Sequence, residues 1–377
     1  MIDIYGTLGP SCASRETLER MFRAGMTGIR LNLSHVSLRE SAPRLEIFHA
    51  AAREAGIRPQ LLIDMQGPEL RIGSMDGQAS LREGDEAALC APDSPSALPG
   101  GCGIPSAGTG APAGYRKSQP VSRGEYKCVI PVPPEVLAVL EEGREILLDD
   151  GKILLKVIRT GGGTAAALVL RGGVLSGRKS VKVPGEDIRP PTMTAADLQN
   201  IRDAAAFGVT GVMQPFVRSR EDLEEVRAAL SGNGAGHLQL VAKIENLDGV
   251  RRLDTLLPAC DAICIARGDL GNDMPLWQLP AVQKRISEKC RAAGRPFMVA
   301  TQMLASMETR AVPTRAEVND IFNTVVDGAS GVMVTGETAV GSYPVEVIRF
   351  LKNTAEEGEK YRQSYPENRC GALSAGH

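Results

Sequence analysis

The sequence contains no apolar run of the roughly 20 residues that a membrane-spanning helix requires. Its first residues, MIDIYGTLGPSC, also lack the basic segment followed by an apolar one that marks a secretory signal. These absences count against a membrane protein and against a secreted one. We therefore predict a cytoplasmic protein without a membrane partner.

An excess of basic residues is missing as well. Lys and Arg number 43 and Asp and Glu number 45, so the formal net charge at pH 7 is -2. Nucleic acids and anionic membrane surfaces would find no generally basic surface on such a chain, which argues against both as partners. Any site for phosphate must therefore be local.

The eight cysteines do not form the pattern of a zinc site or of a disulfide framework. Only Cys260 and Cys264 are close in sequence, and they lie in an apolar strand pattern without nearby histidine. Buried free thiols are the interpretation that we favour.

Eight short apolar segments alternate with amphipathic helical patterns along most of the chain. The predicted strands are 2–8, 28–34, 60–65, 210–216, 238–245, 261–267, 296–302 and 330–336. The predicted helices are 14–25, 38–55, 194–207, 219–230, 248–257, 278–293, 315–327 and 344–361. A doubly wound open sheet uses the same alternation, but eight pairs favour an α/β fold of the TIM (β/α)8 barrel type.

The alternation is interrupted between residues 73 and 185. This segment has closely spaced turn signals, short β-like runs such as EILLDD and KILLKVI, and a stretch rich in Gly, Pro and Ser at 91–120 that is typical of a mobile connection. We predict a barrel domain at 1–72 and 186–361, a small β domain at 73–185 inserted after the third strand, and a flexible tail at 362–377.

Ionisable residues gather where the predicted strands end, which is where the chemistry of such barrels lies. Lys243 and Glu245 are two residues apart, so their side chains leave the same face of a strand. Glu245 and Asp269 can then offer carboxylate oxygens to one divalent ion. A cation, a metal site and the glycine turn at Gly268 together point to phosphoryl transfer.

Each of these residues also has a structural interpretation. Arg30 and Arg71 could form salt bridges at the barrel rim, Asn32, Ser34 and Asp64 could cap helices, and Lys243 could simply pair with Glu245. The combination at several strand ends is what favours a functional site.

Ten motifs occur in the order found in pyruvate kinases. They are GTLGPSC, RLNLSH, IDMQGPELR, LDDGKI, PFVRS, KIEN, ARGDLG, ATQMLASM, PTRAE and GETAVGSYP. The sequence therefore resembles that family from its first residues to about residue 361, apart from the first half of the insert.

The resemblance implies a barrel with a small inserted β-barrel lid, and it implies site roles. Lys243 and Arg30 would contact the transferring phosphoryl group, and Thr301 would lie beside the carbon that is protonated. The turn of Ala266, Gly268 and Asp269 would bind the substrate carboxylate. Glu245 and Asp269 would bind Mg²⁺ or Mn²⁺. Asn32, Ser34, Asp64 and the Met65 carbonyl would bind K⁺, and Glu69 matches the residue that accompanies potassium dependence. ADP or ATP would be contacted by Arg71, His35 and Asn32.

Several positions depart from the family pattern on the nucleotide side. Ala196 stands where the family usually has a lysine that contacts nucleotide phosphate, Pro215 replaces a serine, and Met65 with Gln66 replaces a Thr-Lys pair. The chain also ends where typical members continue into a regulatory domain, so we expect no control by a sugar phosphate. We further expect an oligomer, most simply a dimer, that is formed through surfaces of the barrel.

Three functions are compatible with these observations. The first is a short pyruvate kinase that acts on phosphoenolpyruvate or pyruvate and a nucleotide through a metal-stabilised enolate. The second is a divergent relative with another 2-oxo acid or another phosphoryl acceptor, and the third is a catalytically silent binding or regulatory protein. The first is favoured, because the metal, potassium and carboxylate motifs are intact.

Overall fold

The computed structural model describes residues 2–34, 36–68, 70–92, 126–149, 151–186, 188 and 190–364. The chain divides into two compact units, one formed by Met1–Pro68 with Pro191–His377 and the other by Glu69–Pro190. Because the second unit is contiguous in sequence, the chain leaves the first unit once and returns to it once.

Eight parallel strands close a barrel in the first unit. From first to eighth they are Asp3–Thr7, Gly28–Asn32, Gln60–Asp64, Gly211–Gln214, Gln239–Ile244, Ala262–Ala266, Phe297–Ala300 and Gly331–Met333. Each barrel strand pairs with the next one along the chain, and the eighth pairs with the first, with Gly331 opposite Asp3. The predicted (β/α)8 barrel is confirmed, since a doubly wound sheet would have two open edges.

Side chains alternate between the two faces of these strands, which gives the barrel two separate apolar layers. Tyr5, Leu62, Val241, Cys264 and Met298 belong to the small cluster that fills the barrel interior. Their sequence neighbours point outward into a much larger cluster shared with the surrounding helices, including Ile4, Ile63, Leu240, Ile263 and Val299.

Helices follow the strands and cover the outside of the barrel. They are Arg15–Arg23, Ala42–Ala55, Ala195–Asp203, Arg220–Gly232, Leu247–Arg251, Leu253–Leu256, Arg267–Leu270, Leu279–Ala292, Arg315–Val326, Gly336–Ala339 and Pro344–Ser364. Thr194, Ser219 and Thr314 each begin a helix with a reciprocal capping box, which satisfies N–H groups of the first turn. None of the described helices combines the length and the apolar character that crossing a bilayer requires.

The predicted elements are present, with differences at their ends. All eight barrel strands are one to three residues shorter at an end than predicted, and the last helix continues to Ser364 rather than ending at residue 361. The predicted helix at 248–257 is broken at Arg252 into two short ones. The short helices Arg267–Leu270 and Gly336–Ala339 were not predicted, because a single turn carries too few residues for a periodic pattern.

The second unit is a β structure with its own apolar core. Six strands form one sheet in the order Val181–Lys182, Glu145–Leu148, Ile153–Gly161, Thr164–Arg171, Glu86–Cys90 and Cys128–Pro131, and Gln78–Leu81 pairs with Gly173–Ser176 in a second sheet. Where the sequence predicts a small β-barrel, the described residues thus form two sheets and no closed second barrel. The unit also contains an unpredicted helix, Pro134–Ala138. From residue 93 on, the predicted mobile stretch at 91–120 lies outside the described residues, as does the predicted tail beyond residue 364.

Candidate active site

Four ionisable side chains meet at the carboxyl end of the barrel strands. Asp64 Oδ2 accepts hydrogen bonds from Arg30 Nε at 2.7 Å and from Lys243 Nζ at 3.0 Å. The same ammonium group lies 2.9 Å from Glu245 Oε1. Glu245 Oε2 in turn accepts the backbone N–H of Phe216 at 2.8 Å. These contacts form a continuous ion cluster across the second, third and fifth strands.

The strand register brings the four residues together. Arg30 lies opposite Leu62 in the second and third strands, and Leu62 belongs to the interior cluster, as does Val241 of the fifth strand. Two residues further along the same face come Asp64 and Lys243, and Glu245 follows Lys243 by two. The inward row of each strand therefore changes from apolar to ionic as it reaches the carboxyl end.

The cluster is largely removed from solvent, and its charges stabilise one another. The side chains of Asp64 and Glu245 are 3% and 2% exposed, and that of Lys243 is 11% exposed. Burial alone would raise the pKa of Asp64, but the positive charges of Lys243 and Arg30 outweigh it and hold that pKa below its usual value. The pKa of Lys243 is raised, because Asp64 and Glu245 oppose the effect of its burial. Both carboxylate and ammonium are thus kept ionised.

One oxygen of this cluster has no partner within the described chain. Asp64 Oδ1 is buried and accepts no hydrogen bond, while Oδ2 of the same carboxylate accepts from both Arg30 and Lys243. An ionised oxygen without a donor is costly at such a position. A bound cation would satisfy it, so Asp64 fits the potassium role that the resemblance implies.

Glu245 and Asp269 are the two carboxylates expected to hold a divalent ion. Glu245 follows the fifth strand directly, and Asp269 lies in the helix Arg267–Leu270 that follows the sixth strand, which is the neighbour of the fifth. The described residues contain no group of three or more His, Cys, Asp or Glu arranged for a metal. Mg²⁺ is commonly held by one or two carboxylates together with substrate oxygens and water, which is the donor set that the resemblance implies for these two residues.

The sixth and seventh strands contribute a second group of predicted residues. Gly268 donates its backbone N–H to Thr301 Oγ1 at 2.8 Å, and Ala266 is the last residue of the sixth strand. Thr301 has a φ of 72° and Gln302 a φ of 54°, values in the left-handed region that residues other than glycine rarely adopt. The Thr301 hydroxyl therefore sits on a strained turn against the glycine of the ARGDLG motif.

Arg267 holds this turn, a role that the sequence analysis did not assign. Its buried guanidinium donates to the carbonyls of Thr301 at 3.0 Å and Gln302 at 3.2 Å. Asp320 of the helix Arg315–Val326 provides the counter-charge at 2.7 Å. The signal in the sequence was an arginine directly after an apolar strand, which requires an acidic partner, but nothing local identifies that partner as Asp320.

The structure places the other predicted residues as follows. Asn32 ends the second strand and its Oδ1 accepts the N–H of Ser34 at 3.1 Å, while Met65 follows Asp64 and is buried. Arg71 belongs to the second unit, where it donates to the Arg178 carbonyl at 2.9 Å. His35 and Glu69 lie outside the described residues, so their predicted roles in nucleotide binding and potassium dependence have no structural description.

The chain matches the family model described as "Pyruvate kinase, barrel domain" over residues 1–95 and 119–348. It is 36% identical over 357 residues to a pyruvate kinase of Methylorubrum extorquens, an alignment that covers 95% of this chain and 68% of the relative. It is 35% identical over 360 residues to one of Geobacillus stearothermophilus, covering 95% of this chain and 57% of the relative. It is 37% identical over 378 residues to human pyruvate kinase PKLR, an alignment that covers 98% of this chain and 62% of the relative.

These relatives are considerably longer than the matched segment. The chain spans between 57% and 68% of the length of the three relatives. The matched part contains the ion cluster and the Gly268 turn.

Proposed function

The chain belongs to the pyruvate kinase family, and we propose that it transfers a phosphoryl group between phosphoenolpyruvate and ADP, giving pyruvate and ATP. The observation that supports this activity most strongly is the cluster of Arg30, Asp64, Lys243 and Glu245 at the carboxyl end of the barrel. Phosphoryl transfer between anions needs positive charge that is held in position: Arg30 and Lys243 supply two fixed cations, and the two carboxylates would hold the ions that add to them.

Arg30 and Lys243 act in this proposal as the cations that contact the transferring group. The bond between phosphorus and the enol oxygen breaks while a new bond forms to an oxygen of the ADP β-phosphate. Negative charge spreads over the phosphoryl oxygens during the exchange, so contacts that strengthen at that point lower the barrier. The raised pKa of Lys243 suits this role, since the group stays protonated and serves as a charge rather than as a base.

Thr301 and the Gly268 turn serve the pyruvate half of the reaction. After loss of the phosphoryl group the enolate takes up a proton at its terminal carbon, and we assign the Thr301 hydroxyl to the path of that proton. The turn of Ala266, Gly268 and Asp269, at the start of a helix, receives the substrate carboxylate, for which the Gly268 N–H would exchange its contact with Thr301 Oγ1. The contact between Gly268 N–H and Thr301 Oγ1 supports placing the carboxylate and the reacting carbon side by side.

The ions are the part of the proposal that rests on the donor set alone. Glu245 and Asp269 would hold a divalent cation, and Asp64 with Asn32, Ser34 and the Met65 carbonyl would hold K⁺. When bound, these ions would neutralise charge on the phosphoryl and enolate oxygens. ADP or ATP is the nucleotide, with Arg71, His35 and Asn32 as its proposed contacts, and the cytoplasm is the proposed location.

A lactate-dehydrogenase-coupled assay tests the activity. We expect turnover with phosphoenolpyruvate, ADP, Mg²⁺ and K⁺, and a loss of rate when Na⁺ replaces K⁺ or when the divalent ion is chelated. Deuterium uptake by pyruvate without ADP measures the enolate half separately. Uptake without pyruvate formation would point to another phosphoryl acceptor, and failure of both assays with measurable ligand binding would point to a silent binding protein.

A further inference from the structure

A groove with an unpaired arginine lies at the opposite end of the barrel from the ion cluster. Cys260 and Asp261 directly precede the sixth strand, and Arg295 lies two residues before the seventh. Together with the helix Arg220–Gly232 these residues line a cavity of about 590 Å³, the Arg295 groove. Since the strands have about five residues at about 3.3 Å each, the groove is separated from the candidate active site by the length of the barrel, roughly 16 Å.

Arg295 has no partner in the described part of the chain. Its side chain makes no hydrogen bond or ion pair there, and its Nε is buried without an acceptor. A partly buried guanidinium in this condition is unusual, because buried charges are normally paired. A second cavity of about 400 Å³ shares Arg295 and Pro258 with the groove, so the arginine faces open space on two sides.

The groups around Arg295 do not neutralise it. Its titratable neighbours include the thiols of Cys260 and Cys290, and burial raises the pKa of Cys260 to about 11 and that of Cys290 to about 12. Both thiols are therefore uncharged at neutral pH. Both acidic residues of the groove are already paired with groups other than Arg295. Asp261 accepts hydrogen bonds from Arg227 at 2.6 Å and from the Leu240 N–H at 2.7 Å, and Glu224 forms an ion pair with Arg220 at 2.6 Å.

Three arginines thus share one groove with two carboxylates, which leaves one positive charge unbalanced. Arg220 and Arg227 are fixed by their partners, and their remaining N–H groups can add to those of Arg295. Guanidinium groups bind phosphate and carboxylate oxygens in pairs of hydrogen bonds. The volume is within the range of sites for small metabolites.

We propose that the Arg295 groove is a second binding site, which takes the oxyanion group of a small phosphorylated or carboxylated molecule, with Arg295 as the principal contact. The proposal does not depend on the phosphoryl-transfer activity, because none of its residues belongs to the ion cluster or to the Gly268 turn.

The test uses the full chain, crystallised without oxyanions and soaked in selenate, a tetrahedral anion that anomalous scattering can locate. We expect a selenate peak within hydrogen-bond distance of the Arg295 guanidinium, its loss in Arg295→Gln, a weaker peak in Arg295→Lys and an unchanged peak in the control Arg285→Gln. Arg285 is exposed on the helix Leu279–Ala292 and lines neither cavity. Because Arg295→Lys keeps the charge, it separates the effect of the charge from that of the paired hydrogen bonds, and near-UV circular dichroism shows whether each variant is folded.

Calorimetric titration with inorganic phosphate and with succinate provides the solution arm. Loss of a charge-assisted contact should weaken binding of the preferred anion about tenfold in Arg295→Gln. Displacement of selenate by phosphate identifies a phosphate group as the natural one, and displacement by succinate identifies a carboxylate. Selenate bound only at the ion cluster, binding at crystal concentration only, or equal affinities in wild type and Arg295→Gln would each overturn the proposal.

Discussion

Lys243 is a buried ammonium group with two carboxylate partners, and this limits what it can do. Removing the charge from such a group is unfavourable, since both Asp64 and Glu245 stabilise the protonated form. A lysine in this setting can attract the oxygens of a substrate but cannot easily accept its proton. The same contacts also make Lys243 important for stability, because its positive charge offsets part of the cost of burying the carboxylates of Asp64 and Glu245.

Lys243→Met should therefore affect both activity and stability. We expect phosphoenolpyruvate-dependent turnover to fall by at least about a thousandfold, comparable to the loss of a cation that stabilises phosphoryl transfer. Unfolding free energy should fall by about 3 to 5 kcal/mol, because Glu245 loses its ionic partner in a buried setting. The coupled assay and urea unfolding measure the two effects. Lys284→Met, which removes an exposed partner of Asp327, is the control, and near-normal turnover of Lys243→Met would remove Lys243 from the mechanism.

Asp64 should make the stability of the protein depend on pH in the acid range. Its pKa is lowered in the folded protein by Lys243 and Arg30 against the effect of burial, so its contribution is fully present above the unfolded pKa of about 3.9 and is lost as the pH falls through the folded value. The stability difference between wild type and Asp64→Asn should thus be largest near neutrality and shrink on acidification below about pH 4.

Urea unfolding at a series of pH values measures that difference. Asp254→Asn serves as the control, since Asp254 forms an exposed pair with Lys289 and should give a small difference at every pH. A constant difference between wild type and Asp64→Asn down to pH 2 would mean that Asp64 is not held ionised by its neighbours.

The turn that follows the seventh strand shows how one element depends on another. Thr301 and Gln302 have left-handed backbone angles, which cost free energy at non-glycine positions and persist only when their surroundings hold them. Arg267 supplies that support through both carbonyls, and Asp320 orients Arg267 from a different helix. The position of the Thr301 hydroxyl is therefore set by a chain of contacts that spans three elements.

Asp320→Asn should loosen this turn while leaving Arg30 and Lys243, the cations proposed to contact the substrate, in place. We expect kcat to fall about tenfold to a hundredfold with a smaller change in KM, because small misplacements of a reacting group affect the chemical step most. Asp327→Asn removes a carboxylate just beyond the same helix, where it pairs with the exposed Lys284, and is the matched control. Equal kinetic effects of the two substitutions would show that Asp320 has no specific role in placing Thr301.

Helices and strands with a clear hydrophobic periodicity could be predicted from the sequence, whereas contacts that depend on the fold could not. The barrel strands were found because each is a short apolar run and all but the third are followed directly by a helical pattern. Lys243 and Glu245 could be placed on one face from their spacing alone. The partnership of Lys243 with Asp64, far away in sequence, could not be read from spacing, because it depends on the barrel register. For the same reason neither Asp320 nor the unpaired Arg295 was identified.

At the scale of the whole molecule, the barrel and the inserted unit have separate apolar cores. The closed sheet uses only strands from residues 3–64 and 211–333, and the insert contributes none of them. The insert has its own buried cluster, with Ile146, Leu155 and Val169 among its members. Each unit thus contains the backbone pairing and the apolar burial that a folding unit requires.

Replacing residues 70–189 by a short Gly-Ser linker should consequently leave the barrel folded. We expect near-UV circular dichroism of a packed core and a single cooperative urea transition, with an m-value reduced in proportion to the surface removed. Phosphoryl transfer should be lost, because the resemblance assigns Arg71 and the insert to the nucleotide. Deuterium uptake by pyruvate should remain measurable, since Lys243, Glu245, Gly268 and Thr301 all stay in place. A longer linker controls for strain at the junction, and a non-cooperative transition with both linkers would show that the barrel depends on the insert for its stability.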